Sequence, residues 1–305
     1  MDFTKYIFRS HMVGNIINVP KPLTADQAST LIKYRERNSG VGRILTEKQK
    51  DDLKDLEYKE MKSRKFELSD FNKAELTKIV CYEKSGRSKI LENAYLEKGL
   101  KVEKSARDLI SKVLKILLTS DDERKSNNWV TGKRDVFSKS VIPDIKSTYS
   151  YETFIKHLLE SASSLYLRQL DSYMDLWKIY ESLLCFVLID TPSNLVDREI
   201  IKSSYSKDIL TFDGDIKDSG IEDVKRIITN HIYTRAGLEK YCTESSYAYI
   251  EWFDDFVEIP DAERIHMIPH SFDKIRIEQR NECINLGREF MNTVKPINNI
   301  IQIIA

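Results

Sequence analysis

Residues 129–148, WVTGKRDVFSKSVIPDIKST, are the stretch of this chain that decides its fold. Two segments rich in β-branched residues flank the polar residues 138–140, which is the pattern of a β-hairpin. Asp135 closes the first predicted strand. Asp144 and Lys146 lie two residues apart on the second, so their side chains share a face. The hairpin pairing predicts that Asp135 lies close to Asp144.

The chemistry of these three side chains indicates a metal site. Adjacent carboxylates repel each other unless a cation or a proton lies between them. Oxygen ligands suit hard cations, so the pair predicts Mg²⁺ or Mn²⁺. Such an ion would lower the pKa of a bound water beside a phosphate, and Lys146 would orient or deprotonate that water. Since an Asp-x-Lys triplet alone is typical of a solvated strand edge, the interpretation depends on neighbouring elements.

The predicted elements around this stretch carry further polar residues at helical spacing. Glu103, near the first turns of an upstream amphipathic helix, could supply a third carboxylate. Gln169 and Tyr173 are four residues apart and share one face of a downstream helix. The continuous apolar run 183–189 predicts a central strand that is buried on both faces. The apolar side of the upstream helix comprises Val102, Ala106, Leu109, Ile110, Val113 and Leu114.

In this order the residues resemble the PD-(D/E)xK nuclease superfamily. The Gln-xxx-Tyr helix is similar to that of the RecB-like branch, which includes phage recombination exonucleases of the lambda-exonuclease and YqaJ type. The resemblance covers residues 98–192, and more weakly 260–292. It implies an α/β fold with a restriction-endonuclease-like core, in which helices flank a mixed central sheet. Many RecB-like members carry a histidine at the position of Glu103, and glutamate is the lambda-type variant.

The resemblance also implies a role for each residue of the pattern. Lys146 would assist the attacking water, and Gln169 and Tyr173 would place the scissile strand or the metal site. The metal ligands would be Glu103, Asp135, Asp144 and the backbone carbonyl of Ile145.

The function that the resemblance implies is a Mg²⁺-dependent deoxyribonuclease, in which Mn²⁺ can substitute. We expect an exonuclease that resects linear double-stranded DNA in phage-type recombination or repair, with a single-strand annealing protein as its partner. Two alternatives stay open at this point. One is a structure-selective or repair endonuclease of the same fold, and the other is a non-catalytic DNA-binding recombination partner. Cleavage polarity, processivity and oligomeric state stay open as well.

Composition limits the remaining classes of protein. The 305 residues include 48 basic and 48 acidic side chains, so there is no overall basic bias toward nucleic acid. Apolar runs stay below the roughly 18 residues of a membrane span, and the N-terminus lacks a signal-peptide pattern. We therefore expect a soluble, cytoplasmic protein of a bacterium or phage-infected host, with no membrane partner. The four cysteines (Cys81, Cys185, Cys242 and Cys283) are dispersed, so no iron–sulfur cluster is expected.

The pattern along the chain predicts two parts. Residues 1–90 form a helical N-terminal extension packed on the core, in which Thr24 and Gln27 begin a helix as a capping box. Residues 91–305 form the nuclease domain. Within it we expect His157 on the surface and core packing of the aromatic stretch 247–256. The further predicted elements are helices at 193–206, 221–232 and 273–290, a turn at 211–215 and a strand at 264–268.

Overall fold

The computed structural model describes residues 1–87 and 93–294, which form helices and short sheets. The helices are α1 (Ala25–Asn38), α2 (Glu47–Lys62), α3 (Asp70–Ser85), α4 (Ala94–Leu114), α5 (Tyr151–Leu159), α6 (Ser164–Trp177), α7 (Ser193–Ser204), α8 (Ile221–Thr229), α9 (Arg235–Glu244) and α10 (Lys274–Thr293). The strands are β1 (Phe8–Arg9), β2 (Thr119–Ser120), β3 (Arg124–Ser126), β4 (Val130–Lys133), β5 (Val136–Phe137), β6 (Ile142–Ser147), β7 (Glu181–Val187) and β8 (Ile265–Ser271).

The described chain divides into two compact units. The first comprises residues 1–87, 126–131 and 273–294, and the second comprises residues 93–125 and 132–272. The boundary expected between residues 90 and 91 lies outside the described residues. The first unit contains the expected N-terminal helices and, in addition, helix α10 from the end of the chain. In the described residues, no helix is both long and apolar enough to span a bilayer.

Helix starts in the first unit follow local sequence signals. The capping box predicted at Thr24 is present, because its side chain accepts from the backbone of Gln27, whose side chain in turn accepts from the backbone of Thr24. The same reciprocal bonds begin α2 at Thr46 and α3 at Ser69. Helix α10 packs on α3, and its Arg288 donates to the carbonyl oxygen of Tyr6 at 2.8 Å. The predicted C-terminal helix is therefore confirmed.

The second unit is built on a mixed three-stranded sheet in the order β6-β7-β8. Strand β6 runs parallel to β7, while β8 runs antiparallel to it. The central, buried strand predicted from the apolar run is confirmed, although β7 begins and ends two residues earlier than expected. Cys185 lies buried within it. The strand predicted at 264–268 is confirmed as β8, which begins one residue later and extends three residues further.

Helix α4 covers one face of this sheet through the apolar side that the sequence predicts. Val102, Ala106, Leu109 and Ile110 are buried, and Val113 and Leu114 pack beside them. These side chains contact residues of β7 with odd numbers, among them Cys185 and Val187. Burying each large apolar side chain contributes roughly 1.5–3 kcal/mol. Helices α5 and α6 pack against β7, and α6 also contacts β6.

The hairpin predicted across residues 138–140 is wrong. Strand β5 pairs with β2 in antiparallel register, whereas β6 pairs with β7. Arg134 accounts for part of this arrangement, because its buried guanidinium pairs with Asp121 and donates to the carbonyl oxygen of Ser138 at 2.8 Å. These contacts hold residues 134–138 against the segment that follows β2.

The rest of the second unit forms a separate hydrophobic core. Helices α7, α8 and α9 contribute buried residues such as Val196, Val224 and Leu238. Phe253 is buried in this core, and Tyr247, Trp252 and Phe256 pack against it, which confirms the packing role expected for the aromatic stretch. The predicted turn at 211–215 is closed by a hydrogen bond from Thr211 N to Asp215 O. Helices α7 and α8 match their predicted positions to within three residues at each end.

Replacing Gly237 with alanine should destabilise the second unit by about 1–3 kcal/mol. A β-carbon at Gly237 would lie 2.3 Å from Asp190 Oδ2. Asp190 cannot easily move, because it accepts backbone hydrogen bonds from Tyr233 and Thr234. Urea unfolding followed by circular dichroism measures the change, and an unaltered unfolding midpoint would contradict the packing described for this glycine.

Candidate active site

Asp144 and Lys146 form a partly buried ion pair on one face of β6. The Asp144 side chain is 1% exposed, and the Lys146 ammonium lies 3.0 Å from Oδ1 and 2.9 Å from Oδ2. The shared face predicted from their spacing is confirmed. Burial lowers the pKa of Lys146, but the charge of Asp144 and its hydrogen bond outweigh burial, so the pKa is raised above 10.5. Lys146 is therefore a cation at neutral pH.

One oxygen of Asp144 is buried without a hydrogen bond. Although the Lys146 nitrogen is 2.9 Å from Oδ2, the geometry makes a hydrogen bond to Oδ1 alone. A buried carboxylate oxygen that accepts no hydrogen bond costs free energy. A hard cation bound to Oδ2 would satisfy this oxygen, so Asp144 fits the role of a metal ligand.

Asp135 lies between β4 and β5 and interacts electrostatically with Asp144. The pKa of Asp135 is raised to about 6, first by burial and then by the negative charges of Asp144 and Glu103, against the opposing effects of Lys146 and Lys133. The two aspartates thus influence each other as predicted, although no hairpin connects their strands. A cation between them would relieve this repulsion.

Glu103 is placed differently from the expectation. It lies in the third turn of α4 rather than near its first turns, and its side chain is 52% exposed. Its Oε1 atom is 3.9 Å from Nη1 of Arg107. Among the residues that the structure describes, no three His, Cys, Asp or Glu side chains lie close enough together to hold a metal ion. Glu103 therefore stands at the rim of the site, near enough to act on the pKa of Asp135.

Ile145 lies between Asp144 and Lys146 with its side chain on the opposite face of the strand. That side chain packs against the α4 cluster that includes Ala106 and Ile110. A metal-binding role for Ile145 would therefore involve its backbone carbonyl, as expected.

Helix α6 places Gln169 and Tyr173 over the face that carries Asp144. Both side chains are buried, and Gln169 Nε2 donates to the Tyr173 hydroxyl at 2.9 Å. Burial raises the pKa of Tyr173 to about 12, with a further contribution from the charge of Asp144. The hydroxyl is therefore neutral and is held in place by a helical neighbour. Tyr166, on the same helix, lies 5.3 Å from the Lys146 ammonium, which is cation–π distance.

His157 lies at a partly buried position in the lining of the cleft beside this site, whereas the sequence predicts a surface residue. Its imidazole is partly buried and stacks on Phe186 with a centroid distance of 3.8 Å and an angle of 10°. Phe186 pairs with Lys146 across the β6–β7 ladder. Burial lowers the pKa of His157, which favours the neutral ring. The i, i+4 spacing of Thr153 and His157 is the sequence signal that indicates this position. It puts both side chains on the face of α5 that lines the cleft.

Several of these residues line a cleft with about 420 Å³ of space, whereas Asp144, Gln169 and Tyr173 are not part of its lining. The lining combines Glu103, Asp135 and Lys146 with mainly aromatic, aliphatic and hydroxyl side chains. Among the described residues that line the cleft, Lys146 is the only lysine or arginine. The lining comprises Tyr95, Leu96, Gly99, Leu100, Glu103, Asp135, Ile145, Lys146, Ser147, Thr148, Tyr149, Thr153, His157, Tyr166 and Phe186.

Three solved structures are similar to this chain at low sequence identity. A phage-related exonuclease from Haemophilus somnus 129PT superimposes with a TM-score of 0.55 and 17% identity, over 99% of this chain and 97% of that chain. The alkaline exonuclease LHK-Exo from Laribacter hongkongensis gives a TM-score of 0.46 at 9% identity, covering 79% of this chain and 90% of that chain. LHK-Exo in complex with dAMP gives 0.45 at 10% identity, covering 78% and 88%. No family model and no curated protein matches the sequence.

The first of these likenesses confirms the predicted α/β fold with a mixed sheet flanked by helices. At 17% identity this likeness concerns the fold alone.

In metal-free protein, replacing Asp135 with asparagine should increase the free energy of unfolding at pH 7.5. The folded-state pKa of about 6 exceeds the ordinary 3.8, so ionisation of Asp135 costs stability as the pH rises from 4 to 6. The gain should be on the order of 1–2 kcal/mol, because partial exposure of Asp135 screens the repulsion. It should vanish near pH 4.

Urea unfolding in EDTA across this pH range measures the effect. Asp108→Asn, at an exposed carboxylate of α4, is the matched control and should leave the pH profile unchanged. Equal free energies of unfolding for wild type and D135N at pH 7.5 would show that the ionised Asp135 side chain does not destabilise the folded protein.

Proposed function

We propose that this protein is a metal-dependent deoxyribonuclease that hydrolyses DNA phosphodiester bonds at the Asp135–Asp144–Lys146 site. The observation that carries the proposal is Asp144: a buried carboxylate with one oxygen lacking a hydrogen bond, next to a permanent cation and a second, strained carboxylate. That combination lowers stability and suits a bound cation and a phosphate. All six proposed catalytic residues lie in the second unit.

The ligands proposed for Mg²⁺, or for Mn²⁺ in its place, are Asp135, Asp144 and the backbone carbonyl of Ile145. Glu103 would join them by turning its exposed side chain away from Arg107. When bound, such an ion acts as a Lewis acid and lowers the pKa of a coordinated water. Oxygen ligands of this kind favour these hard ions over zinc or copper.

The protein's own side chains would then position the reacting groups. Lys146 carries a positive charge because Asp144 raises its pKa, so it would orient the attacking water and neutralise charge on the phosphate rather than accept a proton. Gln169 and Tyr173, fixed by their mutual hydrogen bond, would help to place the scissile strand or the metal site.

We further propose exonuclease action on linear double-stranded DNA in phage-type recombination or repair. The support is the shared fold with a phage-related exonuclease along nearly the whole chain. A single-strand annealing protein as partner, and a cytoplasmic location in a bacterium or phage-infected host, follow from the same proposal. The division into a helical extension (1–90) and a nuclease domain (91–305) stays a proposal, in which residues 126–131 and 273–294 of the nuclease domain belong to the first compact unit.

The decisive measurement compares cleavage of end-labelled linear duplex DNA with cleavage of the same DNA closed into a circle. With Mg²⁺, we expect degradation of the linear form alone, and EDTA should abolish it. Asp144→Ala should reduce the rate about a thousandfold or more, since metal charge stabilisation is worth several kcal/mol. Lys146→Met should also reduce the rate, and the exposed Asp108→Ala should leave it unchanged.

The alternative functions give different results in this assay. Cleavage of both forms would indicate a structure-selective or repair endonuclease. DNA binding without cleavage in Mg²⁺ or Mn²⁺ would indicate a non-catalytic recombination partner. Full activity of the Asp144→Ala variant would contradict the assigned site.

A further inference from the structure

Helix α4 has one face that packs on the sheet and another that lines the cleft. Its buried face packs on the sheet through Val102 and Ala106. The other face, at helical spacing i, i+3, i+4 and i+7, lines the cleft of the proposed active site. The residues on this cleft face are Leu96, Gly99, Leu100 and Glu103. A glycine therefore lies one turn before Glu103, facing the cleft.

Gly99 differs from the other glycines inside helices of the described chain. A β-carbon at Gly237 would lie 2.3 Å from Asp190 Oδ2, and one at Gly287 would lie 3.3 Å from Leu76. In both cases the chain's own atoms occupy the space of a side chain. A β-carbon at Gly99 would meet no atom of the described residues within 4 Å, and its backbone has ordinary helical geometry rather than positive φ.

Local physics favours alanine at this position. Glycine in the interior of a helix is less favourable than alanine because its unfolded backbone has more freedom. Gly99 thus weakens α4 without any compensating contact within the described chain. Glycine also allows the close approach of a ligand to a helix backbone.

The chemistry of the cleft indicates which part of a nucleic acid would lie at Gly99. Lys146, Asp135 and Glu103, where a phosphate and its metal ions would bind, line the same cleft, and Glu103 lies one turn of α4 after Gly99. The helical neighbours of Gly99 in the lining are Tyr95, Leu96 and Leu100, and the ring of Tyr95 lies 4.2 Å from that of Tyr149. Such side chains suit a base and a deoxyribose rather than a phosphate. The cleft's 420 Å³ is in the range of small-ligand sites.

We propose that Gly99 is a substrate-contact position, where the nucleoside next to the scissile phosphate lies against the bare backbone of α4. This inference rests on the proposed nuclease function, since it concerns the same cleft. Gly99 then determines how closely the strand can approach Glu103, and a side chain there would obstruct DNA while favouring the helix.

The test measures DNA affinity and thermal stability in parallel for Gly99→Ala and Gly99→Leu. The probe is a short fluorescein-labelled single-stranded deoxyoligonucleotide, followed by fluorescence anisotropy with Ca²⁺ in place of Mg²⁺. Alanine should raise Tm by about 2 °C. Leucine should weaken binding about tenfold or more, as expected for extra carbons in a binding site, and alanine should weaken it less. The matched control is Ser105→Leu, which adds similar bulk to an exposed position of α4 outside this cleft and should leave Kd unchanged.

The outcomes separate this inference from the function on which it rests. Weakened binding by G99L with an unchanged or higher Tm supports it, since a purely structural role would not move stability and affinity in opposite directions. The inference is overturned if G99L binds the probe as tightly as wild type, or if S105L weakens binding as much as G99L does. It is also overturned if the wild-type protein does not bind the probe. If wild type binds and G99L weakens binding but Mg²⁺ supports no cleavage, the nuclease proposal fails while the role of Gly99 stands.

Discussion

The buried ion pair between Asp144 and Lys146 is the constraint on which the site depends. Two residues apart on β6, these side chains put opposite charges on a sheet face that helices otherwise close. Their mutual attraction offsets part of the cost of desolvation, yet Oδ2 of Asp144 stays without a hydrogen bond. A buried ion pair of this kind contributes little net stability.

A second buried lysine connects the elements that surround this pair. Lys98, on α4, is fully buried and donates to the carbonyl oxygen of Tyr149 at 2.9 Å, just after β6. Burial lowers the pKa of Lys98 to about 7, partly offset by the charge of Asp190. This hydrogen bond connects the helix that carries Glu103 to the segment that follows the strand carrying Asp144. Helix α4 is thus held by a polar contact as well as by its apolar face.

The features of the fold and of the site that the sequence predicts are those set by residues close together in the chain. The shared face of Asp144 and Lys146, the apolar face of α4 and the Thr24 capping box follow from local periodicity, and all three are present. The predicted hairpin is wrong because distant residues decide strand pairing: each residue of β6 pairs with a residue of β7 that lies 40 positions later. Arg134 also holds the preceding loop toward Asp121. The stacking of His157 on Phe186 could not be predicted for the same reason, since Phe186 comes from a distant strand.

The discontinuity of the first unit has a consequence for how the chain folds during synthesis. Its helix α3 packs on α10, and Tyr6 accepts a hydrogen bond from Arg288, 282 residues away. Every residue of the second unit precedes residue 273, so the candidate catalytic unit can be synthesised in full while the first unit still lacks its last helix. Helix α3 must therefore wait for the synthesis of α10 to bury the surface that α10 covers, whereas α1 and α2 can bury Leu31 and Leu53 in a cluster of their own. During that interval the uncovered face of α3 is exposed to aggregation or to chaperones.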